Sequence, residues 1–340
     1  MSVPHPATSD AMSGTAEASS PSLPPTLSIV VVNWNSKDLL RPCLRSVQTT
    51  AAELAPQIVV VDGGSFDGCG EMIALEFPGV LFVQLQDNVG FGRANNAGFK
   101  HITGEALLLL NPDTELLPGA IQTLLTDLRR LPSAAIVGPR LLNSDRSLQT
   151  SVQALPRPLR QAFDSEILRR LLWPLRLWAP PTDFEPAQAM EVEAYSGACM
   201  MMWSNTFRSV GGFSPQYFMY AEDVDLCLKV RQAGMRIYYT PRARVVHHGG
   251  ASSSSQGSSF SAVMMREALH KYMLSNHGRL HAAVYRGAVA LAAVARMLPQ
   301  SMRLAFCRND ARARSRTAVS ISWALVLWSL GRQRWTQQYA

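Results

Sequence analysis

Four short apolar segments rich in Val, Ile and Leu recur in the first third of the chain, with room for a helix between them. Runs of this kind are typical of strands buried on both faces of a parallel sheet. Alternating strands and helices predict an α/β fold with a doubly wound, mostly parallel sheet of the Rossmann-like class. The predicted strands span residues 27–33, 58–61, 80–83 and 106–110, with a shorter fifth at 135–137. The predicted helices begin after Ser36 and at about residues 92 and 117.

A polar side chain stands just beyond the end of each of the first four strands. These side chains belong to Asn33, Asp62, Asn88 and Asp113. Asn and Asp favour turns, so each residue alone also has a local explanation. The carboxyl ends of parallel strands meet at one edge of the sheet, where ligands bind in open α/β folds. The set of four therefore predicts the rim of a single nucleotide site.

The segment 218–227 carries three carboxylates within four positions, Glu222, Asp223 and Asp225, framed by aromatic and apolar residues. An apolar stripe further on predicts a helix, so the first two acids lie in its first turn. The helix dipole stabilises carboxylates there, and we expect them to stay ionised, as a general base requires. The alternative is a helix cap with ordinary surface acids.

The positive charge of the chain is concentrated at its end. Residues 261–340 contain 12 lysines and arginines against two acids, whereas residues 1–260 contain 20 against 23. A main domain with a slight excess of acids is not expected to bind nucleic acid. The five cysteines are scattered without CxxC spacing, which predicts neither a zinc site nor a disulfide framework and favours a reducing cytosol.

Composition divides the chain into three parts. Residues 1–25 are rich in Ser, Pro, Ala and Thr without an apolar run, which predicts a disordered leader rather than a signal peptide. Residues 26–260 form the α/β domain, and residues 261–340 form a basic amphipathic helical tail. Within the domain, prolines interrupt residues 155–186, which we interpret as an irregular insertion that covers the acceptor side.

Short apolar helices beside arginines in the tail predict binding to an anionic membrane surface. The apolar segments lie near residues 282–298 and 321–330, and Trp323 and Trp328 are the expected interfacial anchors. The longest uncharged apolar stretch, residues 317–331, is too short to span a bilayer comfortably. We therefore expect a cytoplasmic protein that is peripheral on the inner face of the cell membrane. The alternative is that these helices pack on the main domain or form a homodimer.

Five ordered segments resemble the inverting nucleotide-sugar glycosyltransferases of family 2, which have the GT-A fold, and among them the rhamnosyltransferase-like branch. The segments are residues 32–35 (Val-Asn-Trp-Asn), 61–68, 88–98, 110–113 (Leu-Asn-Pro-Asp) and 211–225. Each segment alone is a weak signal, but the five in order are specific. The resemblance covers roughly residues 27–255, so it implies a GT-A catalytic domain for 26–260.

The resemblance implies roles for the residues of the nucleotide site. Asp62 would accept the imide N–H of a pyrimidine base, which suits a carboxylate. Gly90 and Gly92 would allow the backbone to approach the nucleoside and phosphates closely. A dinucleotide fingerprint is excluded because Asn95 stands where its third glycine would be. The predicted nucleotide-sugar residues are Asn33, Asp62, Asn88, Gly90, Gly92, Asn95, Asn111 and Asp113.

The resemblance also implies a divalent cofactor, Mg²⁺ or Mn²⁺. Asp113 corresponds to the last acid of the family's metal-binding motif, and Asn111 replaces the first acid, as is frequent in the rhamnosyltransferase-like branch. An Asn is the poorer metal ligand. His247 opens a His-x-x-Gly-x-Ser pattern and would complete the metal shell, with His248 as the runner-up. The Ser-rich stretch 252–259 would close over the donor as a lid.

The implied reaction is a single displacement with inversion at the sugar carbon. Asp223 would remove the acceptor proton beside Glu222, which with Asp225 is the next candidate for the base. The branch implies dTDP-rhamnose as donor and a saccharide or lipid-linked acceptor in cell-wall or surface polysaccharide synthesis. The alternatives are a UDP-hexose donor or a non-catalytic nucleotide-sugar-binding protein. A glycosidase also uses paired carboxylates, but it needs neither nucleotide nor metal.

Overall fold

A computed structural model describes residues 26–157, 186–249, 258–306, 309–333 and 336. The predicted leader, nearly all of the 155–186 insertion and most of the predicted lid lie outside these residues. The strands are β1 (Leu27–Asn33), β2 (Gln57–Asp62), β3 (Val80–Gln84), β4 (Ala106–Leu110), β5 (Thr114–Leu116), β6 (Ala134–Leu142), β7 (Val152–Gln153), β8 (Met190–Val192), β9 (Ala194–Tyr195), β10 (Cys199–Trp203) and β11 (Arg236–His247). The helices are α1 (Lys37–Ala51), α2 (Cys69–Glu76), α3 (Phe91–Phe99), α4 (Ala120–Arg130), α5 (Ser204–Ser209), α6 (Glu222–Gln232), α7 (Ser258–His277), α8 (Arg279–Phe306) and α9 (Asn309–Ser329).

The central sheet has nine strands in the order β3-β2-β1-β4-β10-β6-β11-β5, with β8 paired to the first half of β11. Strands β3, β2, β1 and β4 are parallel to one another. Strand β10 is antiparallel to both β4 and β6, so β6 and its parallel neighbour β11 run in the same direction as the first four. The predicted mostly parallel sheet is therefore confirmed, and the predicted fifth strand, β6, is separated from β4 by β10.

Both faces of the sheet are covered. On β1, Val30 belongs to one buried cluster, whereas Ile29 and Val31 belong to the other, because successive side chains of a strand point to opposite faces. Helices α1, α2 and α4 cover the second cluster. Helices α3, α5 and α6 cover the first, together with residues from α7, α8 and α9. The two-sided cover explains why the strands are nearly continuous apolar runs.

The tail helices pack against the α/β domain and against one another. Tyr272 and Met273 of α7 are fully buried in the cluster on the first face of the sheet. Trp328 of α9 is also buried, and its indole N–H donates to Glu267 (2.8 Å). The expectation that Trp328 anchors the protein in a membrane interface is wrong, because its ring is enclosed by α7 and by Arg286, whose guanidinium lies 5.2 Å above it.

One helical stretch in the described part of the chain, Arg279–Arg303, is long and apolar enough to cross a membrane by length and composition alone. Its most apolar stretch has a mean hydropathy of 1.2 and is 24% buried against the rest of the protein. The sequence pattern favoured residues 317–331 instead, because that stretch lacks charged residues. In the structure, α8 is the more apolar candidate, and large apolar side chains of this helix remain exposed.

Candidate active site

A cleft of about 450 Å³ opens at the carboxyl edge of β1 and β4, between the loop before β10 and the start of α6. Eight of the eleven predicted site residues line this cleft. They are Asn33, Asn88, Gly90, Asn111, Asp113, Glu222, Asp223 and His247. Asp62, Gly92 and Asn95 are close in sequence to the cleft but do not line it. The fold thus joins residues that are more than 200 positions apart into one concave surface.

Asp62 is fully buried at the end of β2 and bonded to the protein. Its Oδ1 accepts from the Asn33 side chain (2.8 Å) and the Ser65 hydroxyl (2.6 Å), and its Oδ2 accepts from Gln84 Nε2 (2.8 Å). Burial alone would raise the pKa of Asp62, but these hydrogen bonds outweigh it and hold the pKa below its ordinary value. To contact a pyrimidine base, Asp62 would have to give up one of these hydrogen bonds. Its role in binding the nucleotide therefore stays a prediction.

The two predicted glycines lie in close contact with other parts of the protein. Gly90 has φ +86°, and a Cβ there would overlap the carbonyl group of Phe218, which accepts from the N–H of Phe91 (2.9 Å). A Cβ on Gly92 would lie 3.0 Å from the side chain of Phe213. Asn95 is buried and donates to the Phe91 carbonyl (3.0 Å). These residues therefore shape the wall of the cleft from behind, and Gly90 alone of the three also lines it.

Asp113 and His247 face each other across the antiparallel pair β5–β11, in which Thr114 is the register partner of His247. Oδ1 of Asp113 lies 3.3 Å from Nε2 of His247. Gln149 donates through its amide to the His247 carbonyl (3.1 Å), so its Oε1 accepts from Nδ1 of the same ring (2.6 Å). An amide oxygen can only accept, so Nδ1 carries a proton, and Nε2 is the ring nitrogen that faces Asp113.

This pair fits a divalent cation. A carboxylate oxygen and an unprotonated imidazole nitrogen are ligands that Mn²⁺ accepts, and the second ring nitrogen is held by Gln149 as metal-bound histidines usually are. Nearby, Oδ1 of Asn111 is buried without a hydrogen-bond partner among the described residues. No group of three or more His, Cys, Asp and Glu able to hold a metal occurs in the part of the chain that the structure describes. A cation here would take its remaining ligands from a bound substrate and water.

His248, the runner-up ligand, does not line the cleft. Its Nε2 lies 2.8 Å from Oε1 of Glu115, and its Nδ1 lies 2.8 Å from the hydroxyl of Ser144. Both ring nitrogens are therefore engaged with the protein, one with Glu115 and the other with Ser144. The geometry favours His247 over its neighbour.

Glu222 and Asp223 line the cleft from the first turn of α6. Tyr220 and Ala221 just before it have φ of 68° and 62°, a left-handed conformation that is costly for residues other than glycine. Asp223 Oδ2 accepts from the N–H of Gly197 (3.0 Å) and from Nε2 of Gln153 (3.2 Å). Burial raises the pKa of Asp223, and these hydrogen bonds, with one from the following N–H, limit the rise.

Glu222 lies in a different environment from its neighbour. It is 7% exposed, and its Oε2 has no hydrogen-bond partner among the described residues. Burial, and then the charge of Asp223, raises the pKa of Glu222 to about 8. The expectation that both carboxyls stay ionised is therefore wrong for Glu222. Of the two, Asp223 is the better candidate for a general base, because fixed donors stabilise its charged form.

Asp225 is removed from the list of candidate bases. Its carboxylate accepts from Ser214 (2.6 Å) and Tyr217 (3.2 Å), and Lys229 lies 3.8 Å away. Asn276 of α7 also approaches it at 3.4 Å. The side chain is buried and ties α6 to the preceding loop and to α7, so its role is structural.

Several cleft residues were not predicted from the sequence. Gln149 and Gln153 orient His247 and Asp223 through hydrogen bonds, and Phe260 of α7 adds an aromatic wall from the tail. Residues 196–198 form the loop before β10 and also line the cleft. A run of small residues before a strand can indicate such a loop. An isolated glutamine gives no sequence sign that it lies at a site.

Sequence comparison identifies the family. The profile described as "Glycosyl transferase family 2" matches residues 28–195, and that described as "N-terminal domain of galactosyltransferase" matches residues 185–249. An N-acetylglucosaminyl-diphospho-decaprenol L-rhamnosyltransferase of Mycobacterium tuberculosis is 30% identical over 240 residues, which cover 67% of this chain and 77% of that protein. The low-salt glycan biosynthesis hexosyltransferase Agl10 of Haloferax volcanii is 23% identical over 74% of this chain and 75% of its own.

Solved structures support the same fold. A mannosyltransferase from Pyrobaculum calidifontis in complex with GDP-Man and Mn²⁺ superposes with a TM-score of 0.50 at 16% identity, covering 92% of this chain and 88% of that one. GalNAc-T7 with UDP, GalNAc and Mn²⁺ gives a TM-score of 0.53 at 16% identity, covering 92% and 58%. At these identities the likeness concerns the fold alone, which is GT-A-like. Taken with the sequence matches, it shows that this chain belongs to glycosyltransferase family 2 and is a glycosyltransferase.

Proposed function

We propose that the protein transfers a sugar, with inversion, from a nucleoside-diphosphate donor to a hydroxyl group of a lipid-linked saccharide. The observation that carries this proposal is that one cleft is lined both by the Asp113–His247 pair and by the Glu222–Asp223 pair. The first pair suits the diphosphate of a donor, and the second suits the hydroxyl of an acceptor. The presence of both pairs in one cleft supports a site that binds donor and acceptor together.

Asp223 acts as the general base in this mechanism. The donors of Gly197 and Gln153 fix Oδ2 and leave the carboxylate oriented toward the cleft. It takes the proton of the acceptor hydroxyl as that oxygen attacks the sugar carbon from the face opposite the leaving group. The raised pKa of Glu222 favours its protonated form, which can donate a hydrogen bond to an oxygen of a bound sugar. One displacement inverts the sugar carbon, and no enzyme nucleophile takes part.

Asp113 and His247 are the residues that would hold a divalent cation. When bound, the cation supplies positive charge that stabilises the diphosphate leaving group. Gln149 keeps the His247 ring in the tautomer that such binding requires. Asn33, Asn88 and Asn111 also line the cleft, and they are the proposed amide contacts of the nucleotide and the sugar.

The proposed donor is dTDP-rhamnose, and the proposed acceptor is a polyprenyl diphosphate-linked saccharide used in cell-wall or surface polysaccharide synthesis. Support comes from the name of the mycobacterial relative, which specifies rhamnosyl transfer to a diphospho-decaprenol saccharide. The hexosyltransferase relative from Haloferax volcanii supports a hexose as the second candidate sugar, for which we propose a UDP-hexose donor. A carboxylate at Asp62 does not separate the two bases, because thymine and uracil present the same imide edge.

The test is a donor panel of dTDP-, UDP- and GDP-sugars, measured by calorimetry with Mn²⁺, Mg²⁺ or EDTA. Transfer is then followed with a short-chain prenyl diphosphate saccharide as acceptor, and the anomeric configuration of the product is read by NMR. We expect metal-dependent binding of dTDP-rhamnose and a product of inverted configuration. A product that retains the donor configuration would refute the single displacement, and failure of every donor to bind would refute the proposed site.

The same proposal places the protein in the cytoplasm, peripheral on the inner face of the cell membrane, with α8 toward the lipid. Leu280 and Leu291 of α8 are 74% and 73% exposed, and Trp323 of α9 is 52% exposed. Exposed arginines flank these side chains, including Arg296 and Arg303. Apolar and basic groups together suit an anionic surface, to which each arginine contributes about 1 kcal/mol.

The membrane contact is tested by sedimentation with anionic vesicles at low salt. We expect the double variant Leu280→Gln/Leu291→Gln to bind vesicles more weakly than the native protein. Leu75→Gln is the matched control, because Leu75 of α2 is 84% exposed but lies outside the tail. If the double variant binds vesicles normally and instead converts a dimer to a monomer in analytical ultracentrifugation, α8 is a homodimer interface.

A further inference from the structure

A second hollow, of about 420 Å³, lies apart from the catalytic cleft and shares no lining residue with it. It is lined by three arginines and three leucines. They are Arg140, Arg146, Arg244, Leu117, Leu142 and Leu148. No acidic residue lines it in the part of the chain that the structure describes. The proposed sugar transfer makes no use of this hollow.

Two of the arginines are placed by the sheet. Arg244 of β11 is the register partner of Arg140 of β6, and the two strands are parallel. Register partners project from the same face of a sheet, and so does Leu142, two residues further along β6. His247 is three residues beyond Arg244, so its side chain points to the opposite face. The hollow and the Asp113–His247 pair are thus on opposite faces of the same strand.

The third arginine is placed by a tight hairpin after β6. The N–H of Asn143 donates to the carbonyl of Ser147, and the N–H of Arg146 donates to the carbonyl of Asn143, both at 2.8 Å. Leu142 and Leu148 close the hairpin through an antiparallel bridge. Three segments therefore converge to place three guanidinium groups around one hollow with apolar walls.

The arginines of the hollow differ in their ion pairing from other arginines of β11. Arg242 lies 3.5 Å from Asp127, and Arg236 lies 3.4 Å from Glu191. By contrast, no ion pair links Arg146 or Arg244 to any acid in the described ranges. The acid beside Arg146, Asp145, accepts hydrogen bonds from Ser147 at 2.5 and 2.9 Å. Arg236 and Arg242 are therefore paired with acids, whereas Arg146 and Arg244 bring positive charge to the hollow.

We propose that this hollow binds a phosphate group, carried either by a soluble phosphorylated molecule or by the headgroup of an anionic phospholipid. Guanidinium groups match the oxygens of phosphate in charge and in fork geometry. Arg146 and Arg244 present two such groups beside the leucine walls of one hollow, and several donors that converge on one phosphate strengthen its binding. The proposal does not depend on the identity of the transferred sugar.

The test compares two double variants of the full-length protein in EDTA, which suppresses metal-dependent phosphate binding in the catalytic cleft. Arg146→Gln/Arg244→Gln removes two charges from the hollow. Arg236→Gln/Arg242→Gln is matched in net charge and lies outside the hollow, and each acid it leaves keeps another arginine, Arg231 for Glu191 and Arg130 for Asp127. Inorganic phosphate binding is measured by calorimetry, and vesicles of phosphatidylcholine with or without phosphatidic acid are used in sedimentation.

We expect the hollow variant to bind one of these probes at least about tenfold more weakly, while the matched variant binds like the native protein. Loss of inorganic phosphate binding with normal vesicle binding identifies a soluble phosphate ligand. Loss that is confined to vesicles with phosphatidic acid identifies the lipid headgroup. If the two variants weaken binding equally, if the hollow variant binds normally, or if the native protein binds neither probe, the proposal is overturned.

Discussion

Replacing Glu222 with glutamine should change how the stability of the protein depends on pH. The pKa of Glu222 is raised from 4.5 to about 8 because the side chain is buried next to Asp223. The unfolded chain releases this proton at its ordinary pKa, whereas the folded chain retains it until near pH 8. The free energy of unfolding therefore falls as pH rises through this window. The loss is at most about 1.4 kcal/mol per pH unit, or about 2–3 kcal/mol between pH 5 and pH 7.

Glutamine has nearly the same shape and does not titrate, so the variant should lack this loss. Urea unfolding at pH 5, 6 and 7, in EDTA and without donor, gives the free energies of unfolding. We expect the difference, variant minus native, to grow with pH by about 2–3 kcal/mol over this range. Glu71→Gln on the exposed side of α2 is the control and should show no such growth. Parallel curves for Glu222→Gln and the native protein would show that Glu222 is ionised in the folded state.

Three further substitutions test the remaining site residues. Asp223→Asn should lower turnover on the order of 10²–10⁴-fold with donor affinity retained, measured by product formation and calorimetry; near-normal turnover would move the base to Glu222. Asp113→Ala should weaken donor binding in Mn²⁺ but not in EDTA, and equal losses in both would argue against a metal ligand. Gln149→Leu should lower the affinity for Mn²⁺ alone by about 10–100-fold because His247 loses its orienting acceptor; unchanged Mn²⁺ affinity would leave Gln149 with a structural role.

The first four strands were predictable because their apolar runs are long and β-branched. Strand β10 was not, because residues 199–203 read Cys-Met-Met-Met-Trp, and methionine favours no strand on its own. Its position between β4 and β6 depends on pairing across about 90 residues of chain, which no local pattern encodes. The environment of the tail helices could not be predicted from sequence either. Trp328 belongs to an apolar segment whose composition is the same whether it faces lipid or protein.

The candidate site was predictable where a residue is recognised by the chemistry it performs. Asp113, Asp223 and His247 carry groups that hold metals or protons, and all three line the cleft. The sequence predicted Gly90 at the cleft because a glycine lets the backbone approach a nucleotide. In the structure, the glycine is needed because a side chain there would overlap the backbone of Phe218. Gln153 acts through another residue, so its type and spacing contain no sign of its position.

The burial of α7 in the core of the α/β domain has a practical consequence for shortened forms of the protein. A chain that stops before Ser258 loses Phe260 from the cleft and uncovers the pocket that holds Tyr272. A chain that stops after Gly278 keeps both and removes the exposed leucines of α8. That second cut would still uncover the face of α7 on which Tyr285 and Trp328 are buried. A shortened form for crystallisation should therefore keep at least α7, and it is fully covered only when α8 and α9 are kept as well.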